Sequence, residues 1–197
     1  LWPWPVAAAL AVIADLTITG LLHFDGLADA ADGLLPHLTR ARRLEVMATP
    51  EVGAFAVATV AGALLLRWAA IGSLGLDGPN VVVSLAGIWG LSRGLMASAV
   101  ATMPYARTEG LASAFTAPAT RTRSASLIAS SLAVGLTGAI LGRGLVAGLI
   151  VVLAAAAAGT AVLALAHRRL GGYTGDVLGA AGVVVEVVGL LALAARP

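Results

Sequence analysis

The chain has 197 residues, of which 59% are hydrophobic and 11% are charged, and its mean hydropathy is +0.97. An ordinary soluble domain carries about a quarter charged residues, so this composition excludes a water-soluble fold of the usual kind. The net charge of +2, without a Lys/Arg block interleaved with aromatic residues, argues against a nucleic-acid partner. Because cysteine is absent, disulfides and thiolate metal sites are excluded.

Apolar runs between Pro, Gly and Arg residues predict six membrane spans. In chain order they are residues 5–22, 53–76, 81–102, 124–142, 144–166 and 177–195. The longest runs reach the roughly 20 apolar residues that cross a bilayer. We therefore expect an all-α protein, a polytopic helical bundle in the membrane, with a single domain over residues 1–197.

The connections between these spans differ in charge. The two short turns, at 77–80 and 143, hold one arginine. Loops 23–52, 103–123 and 167–176 hold eight, namely Arg40, Arg42, Arg43, Arg107, Arg121, Arg123, Arg168 and Arg169. Alternating spans place these three loops on one face, and the positive-inside rule makes that face cytoplasmic. We expect a multi-pass protein of the plasma membrane (the cell inner membrane).

The first Arg-rich loop opens on TGLLHFDGLADAADGLL, residues 19–35, where three of the ten acidic residues of the chain lie close together. If this stretch is helical, Asp25, Asp29 and Asp32 project from one face and repel one another. A cation would neutralise them, and oxygen-only ligands suit Mg²⁺, Mn²⁺ or Ca²⁺ rather than Zn²⁺. The alternative is a set of solvated loop charges, although ionisable groups at the end of an apolar span are usually functional. His23 is either a catalyst or an interfacial residue.

A second motif, GGYTGD, comes before the last span and ends at Asp176. It is predicted to lie on the same face as the acidic cluster, where Asp176 adds a fourth carboxylate. Its glycine-rich backbone offers amides that can cradle a phosphate, whereas the alternative is a flexible loop. Mg²⁺ held by aspartates and phosphate oxygens indicates phosphoryl or phosphodiester chemistry.

These motifs resemble the adenosylcobinamide-GDP ribazoletransferase family, also called cobalamin synthase or cobalamin-5′-phosphate synthase. Residues 19–34 follow its signature of Thr-Gly, two residues, His, one residue, Asp-Gly-Leu-Ala-Asp, two residues and Asp-Gly. The resemblance continues in family order through RRLEVMATPEVGAFAV (Arg42–Val57), PYARTEGLASAF (Pro104–Phe115) and GGYTGDVLGA (Gly171–Ala180).

Two features depart from the family pattern. The family commonly has an acidic residue, a small residue or Pro, and then a basic residue after the Met of the second motif, but Ala-Thr-Pro-Glu follows Met47 here. Family members also usually carry a further apolar segment before the matched region. We therefore expect the chain to be a single transmembrane catalytic domain that lacks an N-terminal segment.

The resemblance implies an enzyme with Mg²⁺ as cofactor that joins adenosylcobinamide-GDP to α-ribazole or its 5′-phosphate. The products are adenosylcobalamin, or its phosphate, and GMP, and the reaction is the last step of cobalamin nucleotide-loop assembly. The implied partners are the two substrates and the lipid bilayer, and a homo-oligomer is left open.

This interpretation gives each candidate residue a role. The metal ligands are Asp25, Asp29, Asp32 and Asp176, with Asp32 alternatively the base for the attacking hydroxyl and His23 a further catalytic candidate. The substrate-binding candidates are Arg93, Arg107, Gly172 and Gly175, since Arg pairs bidentately with diphosphate oxygens. As alternatives, Arg93 forms an ion pair with Asp15 or Glu186, and Arg107 is a topology charge.

Two other functions are considered. A CDP-alcohol phosphotransferase also uses spaced aspartates, but its longer spacing is not met here. A transporter or channel is the second, with a path lined by the charged residues inside spans, which are Asp15, Arg67, Arg93 and Glu186.

Overall fold

The structure, a computed structural model, describes residues 2–74, 79–107 and 121–195, with the backbone alone at 79, 121 and 123. These ranges contain the helices α1 (Trp4–Ile18), α2 (Leu22–Leu34), α3 (Arg40–Val46), α4 (Ala54–Leu74), α5 (Pro79–Thr102), α6 (Arg121–Arg143), α7 (Leu145–Leu170) and α8 (Gly175–Ala194). The predicted all-α class is confirmed. Residues 75–78, predicted as a span end and a turn, and residues 108–115 of the third motif lie outside the described residues.

Five helices, α4 to α8, are long and apolar enough to cross a membrane. They confirm the second to sixth predicted spans, with ends shifted by a few residues. The first predicted span was too long, because α1 ends at Ile18 after 15 residues. α1 and α2 have the length and hydropathy of a span only as a pair, and that pair is bent by 87°. The protein is a multi-pass helical membrane protein.

The bend between α1 and α2 is made by two residues in the left-handed region. Gly20 and Leu21 both have φ of 58°. Glycine adopts this conformation freely, whereas leucine adopts it only with strain. The turn sends α2 away from the direction of α1, so that Gly26 reaches the first turn of α8 and Asp32 reaches the start of α4. α2 therefore lies at one end of the bundle and is not one of the five spans.

α8 is the central helix of the bundle. Of the 18 consecutive residues that make up its most apolar stretch, 72% are buried, whereas the share is 22–33% in the other four spans. Three of its residues, Val177, Ala181 and Val185, are completely buried. Large apolar side chains on the outer helices, such as Leu65 and Leu153, are exposed and form the face that suits a bilayer.

The three Arg-bearing connections meet at one end of the bundle, as predicted. Arg40 donates hydrogen bonds to the carbonyls of Leu170 (2.7 Å) and Ala106 (3.0 Å), and Arg107 donates to that of Met47 (3.0 Å). The side chains of Arg121 and Arg123 lie outside the described residues. The predicted third loop was placed too early, because α7 continues through its basic residues to Leu170. Basic side chains in a last turn are favoured by the helix dipole.

An ion network that is buried at Arg67 and Glu186 ties the helices together below this end. Arg67 is 1% exposed and donates to Asp15 of α1 at 2.8 Å, and it pairs with Glu186 of α8 at 3.3 Å. Arg93 of α5 pairs with the same Glu186 at 3.0 Å. Four helices therefore share one set of charges, which confirms the alternative of an ion pair for Arg93. The two positive and two negative charges balance, while Nε and Nη1 of Arg67 are buried without a hydrogen-bond partner among the described residues. These ion pairs give no support to a transport path.

Two aromatic rings cover the Arg67 guanidinium. Phe24 of α2 lies 5.4 Å from its central carbon and Trp89 of α5 lies 5.8 Å away, measured to the ring centroids. Cation–π contacts are strongest where water is excluded. Arg67 thus also joins α2, the helix of the acidic cluster, to the spanning helices.

We predict that Arg67→Met destabilises the protein by about 3–5 kcal/mol, because removing one partner leaves buried charge uncompensated. Arg67→Lys should cost less, since it keeps the charge but loses the planar fork. The measurement is the thermal unfolding midpoint in detergent. Arg42→Met is the control, since the Arg42–Glu45 pair is 57% and 59% exposed and such pairs contribute about 0–1 kcal/mol. Equal midpoints for Arg67→Met and Arg42→Met would contradict the prediction.

Candidate functional site

The acidic cluster lies on one face of α2, as its spacing predicted. Asp25 is exposed and Asp29 and Asp32 are half-buried, whereas the opposite face is buried against the bundle. The buried residues are Phe24, Gly26, Leu27, Ala30, Ala31, Gly33 and Leu34. The helix therefore packs by its apolar face and presents its carboxylates at the end where the Arg-bearing connections meet.

Close packing of α2 on α8 brings the second motif to the cluster. A Cβ on Gly26 would lie 2.8 Å from the carbonyl oxygen of Asp176 and 2.9 Å from its Cα. Gly179 approaches His23 in the same way, with a Cβ 3.1 Å from the His23 Cα. Glycine at both positions lets the two backbones touch. The prediction that the two motifs lie at the same end of the protein is confirmed, while their sharing of one site stays a prediction.

Asp29 is the carboxylate on which burial and the charges of its neighbours act together. Burial, followed by the negative charges of Asp176 and Asp25, raises the pKa of Asp29 to about 6, and Arg107 opposes this shift. Like charges that disfavour ionisation in this way are relieved by a bound cation. Besides burial, Asp29 therefore experiences negative charge from both acidic neighbours, which Arg107 offsets in part.

Asp176 and Arg107 form the polar pair at the edge of this cluster. Asp176 accepts hydrogen bonds from Arg107 Nη2 at 3.0 Å and from the Thr174 hydroxyl at 3.2 Å. Thr174, which was not among the predicted site residues, caps α8 by accepting from the amide of Val177 at 3.2 Å. Its signal was a threonine just before the last apolar run, which is typical of a helix N-cap. Arg107 Nε is buried without a partner among the described residues.

The two predicted glycines differ in their surroundings. A Cβ on Gly172 would collide with the carbonyl of Pro104, because Tyr173 bridges to the 104–106 segment through hydrogen bonds of 2.8 and 3.0 Å. Burial and the neighbouring Tyr105 raise the pKa of Tyr173. Gly175 is exposed, and nothing lies within 4 Å of a Cβ built there. Gly172 is therefore a packing position, whereas Gly175 is open at the start of α8.

Asp32 makes contacts that differ from those of the other carboxylates. Its two oxygens accept hydrogen bonds from the backbone amides of Gly53 (2.5 Å) and Ala56 (3.0 Å) at the start of α4. Asp25 and Asp29 lie on the same face of α2 but, among the described residues, accept no such bond from α4. The predicted role of Asp32 as ligand or base stays a prediction.

The structure does not bring His23 and Arg93 to the acidic face. His23 precedes Asp25 by two residues, so it lies on the opposite side of α2, where the charges acting on it are those of Arg93, Asp15 and Arg67. Arg93 contacts Gly182 and Glu186, deeper along α8 than Asp176. The predicted catalytic role of His23 and substrate-binding role of Arg93 stay predictions.

Several arginines at this end hold helix termini. Arg43 is 6% exposed and donates to the carbonyls of Gly33 (2.7 Å) and Leu34 (2.9 Å). Arg169 also donates to the Leu34 carbonyl, and Arg40 donates to that of Leu170. These carbonyls end α2 and α7, where basic side chains satisfy unpaired acceptors. These arginines therefore hold the ends of α2 and α7 in place beside the site.

The metal site stays a prediction, and the donors present bear on which ion would fit. Within the described ranges, no group of three His, Cys, Asp or Glu side chains is arranged as a ready-made metal shell. The donor chemistry still suits a hard cation, because Asp25, Asp29 and Asp176 supply oxygen only and act electrostatically on one another. Any cation here would take further ligands from water or substrate.

Sequence comparison places the chain in a family. The sequence model described as Cobalamin-5-phosphate synthase matches residues 1–194. The chain belongs to the cobalamin-5-phosphate synthase family. Relatives named adenosylcobinamide-GDP ribazoletransferase include that of Mesorhizobium japonicum, 35% identical over 94% of this chain and 69% of the relative. The relative from Chlorobaculum tepidum is 38% identical over 93% of this chain and 71% of its own length. The relative from Klebsiella pneumoniae subsp. pneumoniae is 35% identical over 98% of this chain and 78% of its own length.

No solved structure matches the chain. Membership of the cobalamin-5-phosphate synthase family makes the protein an enzyme, a transferase of cobalamin biosynthesis. The family resemblance of the four sequence motifs is thereby confirmed.

We predict that Gly26→Ala separates α2 from α8 and destabilises the protein by about 1–3 kcal/mol, the usual range for overpacking. The colliding atoms are backbone atoms of Asp176, which cannot rotate away. Gly62→Ala in α4 is the matched control, because nothing lies within 4 Å of its added Cβ. Thermal unfolding midpoints in detergent measure both variants. Wild-type stability in Gly26→Ala would show that the close approach is not needed.

Proposed function

We propose that this protein joins adenosylcobinamide-GDP to α-ribazole or its 5′-phosphate, giving adenosylcobalamin or its phosphate and GMP. The observation that supports this most directly is the convergence of Asp25, Asp29 and Asp176 beside Arg107 at one end of the bundle. Such a set offers both hard oxygen ligands and a diphosphate-binding guanidinium. The names of the relatives describe the same transfer.

The reaction exchanges one phosphorus–oxygen bond for another. A hydroxyl oxygen of the ribazole attacks the phosphorus that carries the cobinamide, and the bond from that phosphorus to the bridging oxygen of the diphosphate breaks. GMP leaves with the bridging oxygen, and the hydroxyl gives up its proton. The protein must therefore hold the diphosphate still and offset the charge that develops on the leaving group.

Mg²⁺ is proposed as the cofactor, held by Asp25, Asp29 and Asp176. When bound, it polarises the phosphoryl group and offsets the charge of the leaving phosphate. Mg²⁺ sites of this kind use one or two carboxylates together with waters and substrate phosphates. A cluster that lacks a full protein shell but has unneutralised carboxylates fits that pattern.

Arg107 is proposed to hold the diphosphate. Its Nη2 reaches the Asp176 carboxylate and its Nε is buried without a partner among the described residues. A guanidinium with an unused N–H beside the acidic face can donate a hydrogen bond to a phosphate oxygen. The exposed Gly175 at the start of α8 leaves room for that group to approach the first amides of the helix.

The Arg-rich end of the bundle is proposed to face the cytoplasm of a cell whose plasma membrane holds the protein. The support is the positive-inside rule applied to the basic connections that meet there. The substrates then reach the acidic face from the cytoplasm without crossing the bilayer.

We predict that the orientation is visible by cysteine labelling, because the chain has no cysteine of its own. His37→Cys, exposed at the Arg-rich end, should react with a membrane-impermeant maleimide only after the cells are permeabilised. Asn80→Cys, exposed at the start of α5, should react in intact cells. The reverse labelling pattern would overturn the orientation.

We predict that Asp25→Asn and Asp29→Asn each lower turnover by on the order of 100-fold or more, since each loses part of a contribution of several kcal/mol. Turnover is measured as GMP release from adenosylcobinamide-GDP with α-ribazole and Mg²⁺ in detergent. Higher Mg²⁺ should partly restore both variants, because a lost ligand weakens metal binding before it removes the reaction.

Glu45→Gln is the control for these variants. Glu45 is 59% exposed and pairs only with Arg42 on the surface among the contacts described, so its loss should change turnover little. Wild-type turnover in both aspartate variants would return the cluster to ordinary solvated charges. No GMP release by the well-folded wild-type protein would refute the proposed reaction.

A further inference from the structure

Asp32 belongs to α2, but its carboxylate forms hydrogen bonds with the start of α4. It accepts from the amides of Gly53 at 2.5 Å and Ala56 at 3.0 Å. Because α4 begins at Ala54, these amides belong to its first turn, whose N–H groups have no partner within the helix. Asp32 is therefore the N-terminal cap of α4, supplied by α2.

Gly53 is matched to this contact. It occupies the position where Ser, Thr, Asp or Asn usually caps a helix with its own side chain, and it has none. A Cβ on Gly53 would lie 2.6 Å from Oδ1 of Asp32, too close for both to stay in place. Because Gly53 has no side chain, Asp32 supplies the acceptor at the start of α4 and occupies the space that a side chain would fill.

We propose that Asp32 is a positioning residue that holds the end of α2 against α4 and so directs Asp25 and Asp29 towards Asp176. The negative charge of Asp32 also suits the positive end of the α4 dipole. If Asp32 moved to a cation or a substrate hydroxyl, two amides of α4 would lose their acceptor, which is unfavourable above all at Ala56, a buried residue.

The effect of Asp32 on turnover rests on the proposed function, so the test also uses two measurements that do not need the reaction. These are amide hydrogen exchange of the 53–57 segment and binding of Mn²⁺ alone, followed by its EPR signal, both with the full chain in detergent. In Asp32→Ala, exchange at Gly53 and Ala56 should rise about fivefold to tenfold, as expected for a lost cap. Turnover should fall in parallel.

Asp32→Asn separates positioning from chemistry. Asn keeps one acceptor oxygen and turns its NH2 towards the other amide, so it should restore exchange protection at one of the two amides. It should also restore part of the turnover lost in Asp32→Ala. Its Mn²⁺ affinity should equal that of the wild type, whereas Asp29→Asn should bind Mn²⁺ more weakly.

Gly53→Ala disturbs the contact while the carboxylate stays in the chain. The added methyl should displace Asp32 and raise exchange at Ala56 as Asp32→Ala does. Glu51→Gln is the matched control, because Glu51 is an exposed carboxylate just before α4 and should leave exchange unchanged.

Three results would overturn the proposal. Loss of Mn²⁺ binding in Asp32→Asn as large as in Asp29→Asn would make Asp32 a metal ligand. Abolished turnover in Asp32→Asn with wild-type exchange would make it a catalytic base. Unchanged exchange in Asp32→Ala would show that it does not cap α4. Absence of GMP release by the wild type refutes only the proposed reaction, since the exchange and Mn²⁺ results still decide the role of Asp32.

Discussion

The position of the acidic face depends on the guanidinium of Arg67. A charge in the interior of a membrane bundle must be paired, and its two partners come from different helices, Asp15 of α1 and Glu186 of α8. Rings from two further helices cover it, Phe24 of α2 and Trp89 of α5. Because the guanidinium is planar, its donor directions and its stacking surface are fixed together. One side chain of α4 therefore constrains where four other helices lie.

This constraint reaches the site through Phe24, which directly precedes Asp25. The first turn of α2 is held from below by Arg67, and its middle is held by the backbone contact of Gly26 with α8. Its last carbonyls are held by Arg43. A helix of 13 residues outside the spans would otherwise be marginal in isolation. Tertiary contacts along the whole length of α2 therefore make its carboxylate face a fixed surface.

The parts of this structure that the sequence predicted are those with a local signal. Apolar runs predicted the five spans, and the 25, 29, 32 spacing predicted one acidic face. Two features had no such signal. Leu21 adopts a left-handed conformation that leucine rarely takes, so the bend that shortens α1 was not predicted. The partners of Asp32 are backbone amides of Gly53 and Ala56, and a backbone N–H leaves no mark in a sequence. A carboxylate that caps a helix and one that binds a metal are therefore alike until the chain is folded.

The contacts of the arginines with backbone groups could not be predicted from the sequence either, and they determine which arginine balances the charge of the site. The Arg-rich connections suggested both topology and phosphate binding, yet Arg43 and Arg169 donate to backbone carbonyls at helix ends. Among the described arginines of this end, Arg107 is the one that pairs with a carboxylate of the site. Asp176, Asp25 and Asp29 set against that single guanidinium leave two negative charges, and burial together with the charges of Asp176 and Asp25 raises the pKa of Asp29. The proposed divalent cation would cancel that excess. The proposed diphosphate substrate, itself anionic, would then approach a face that repels it without the cation.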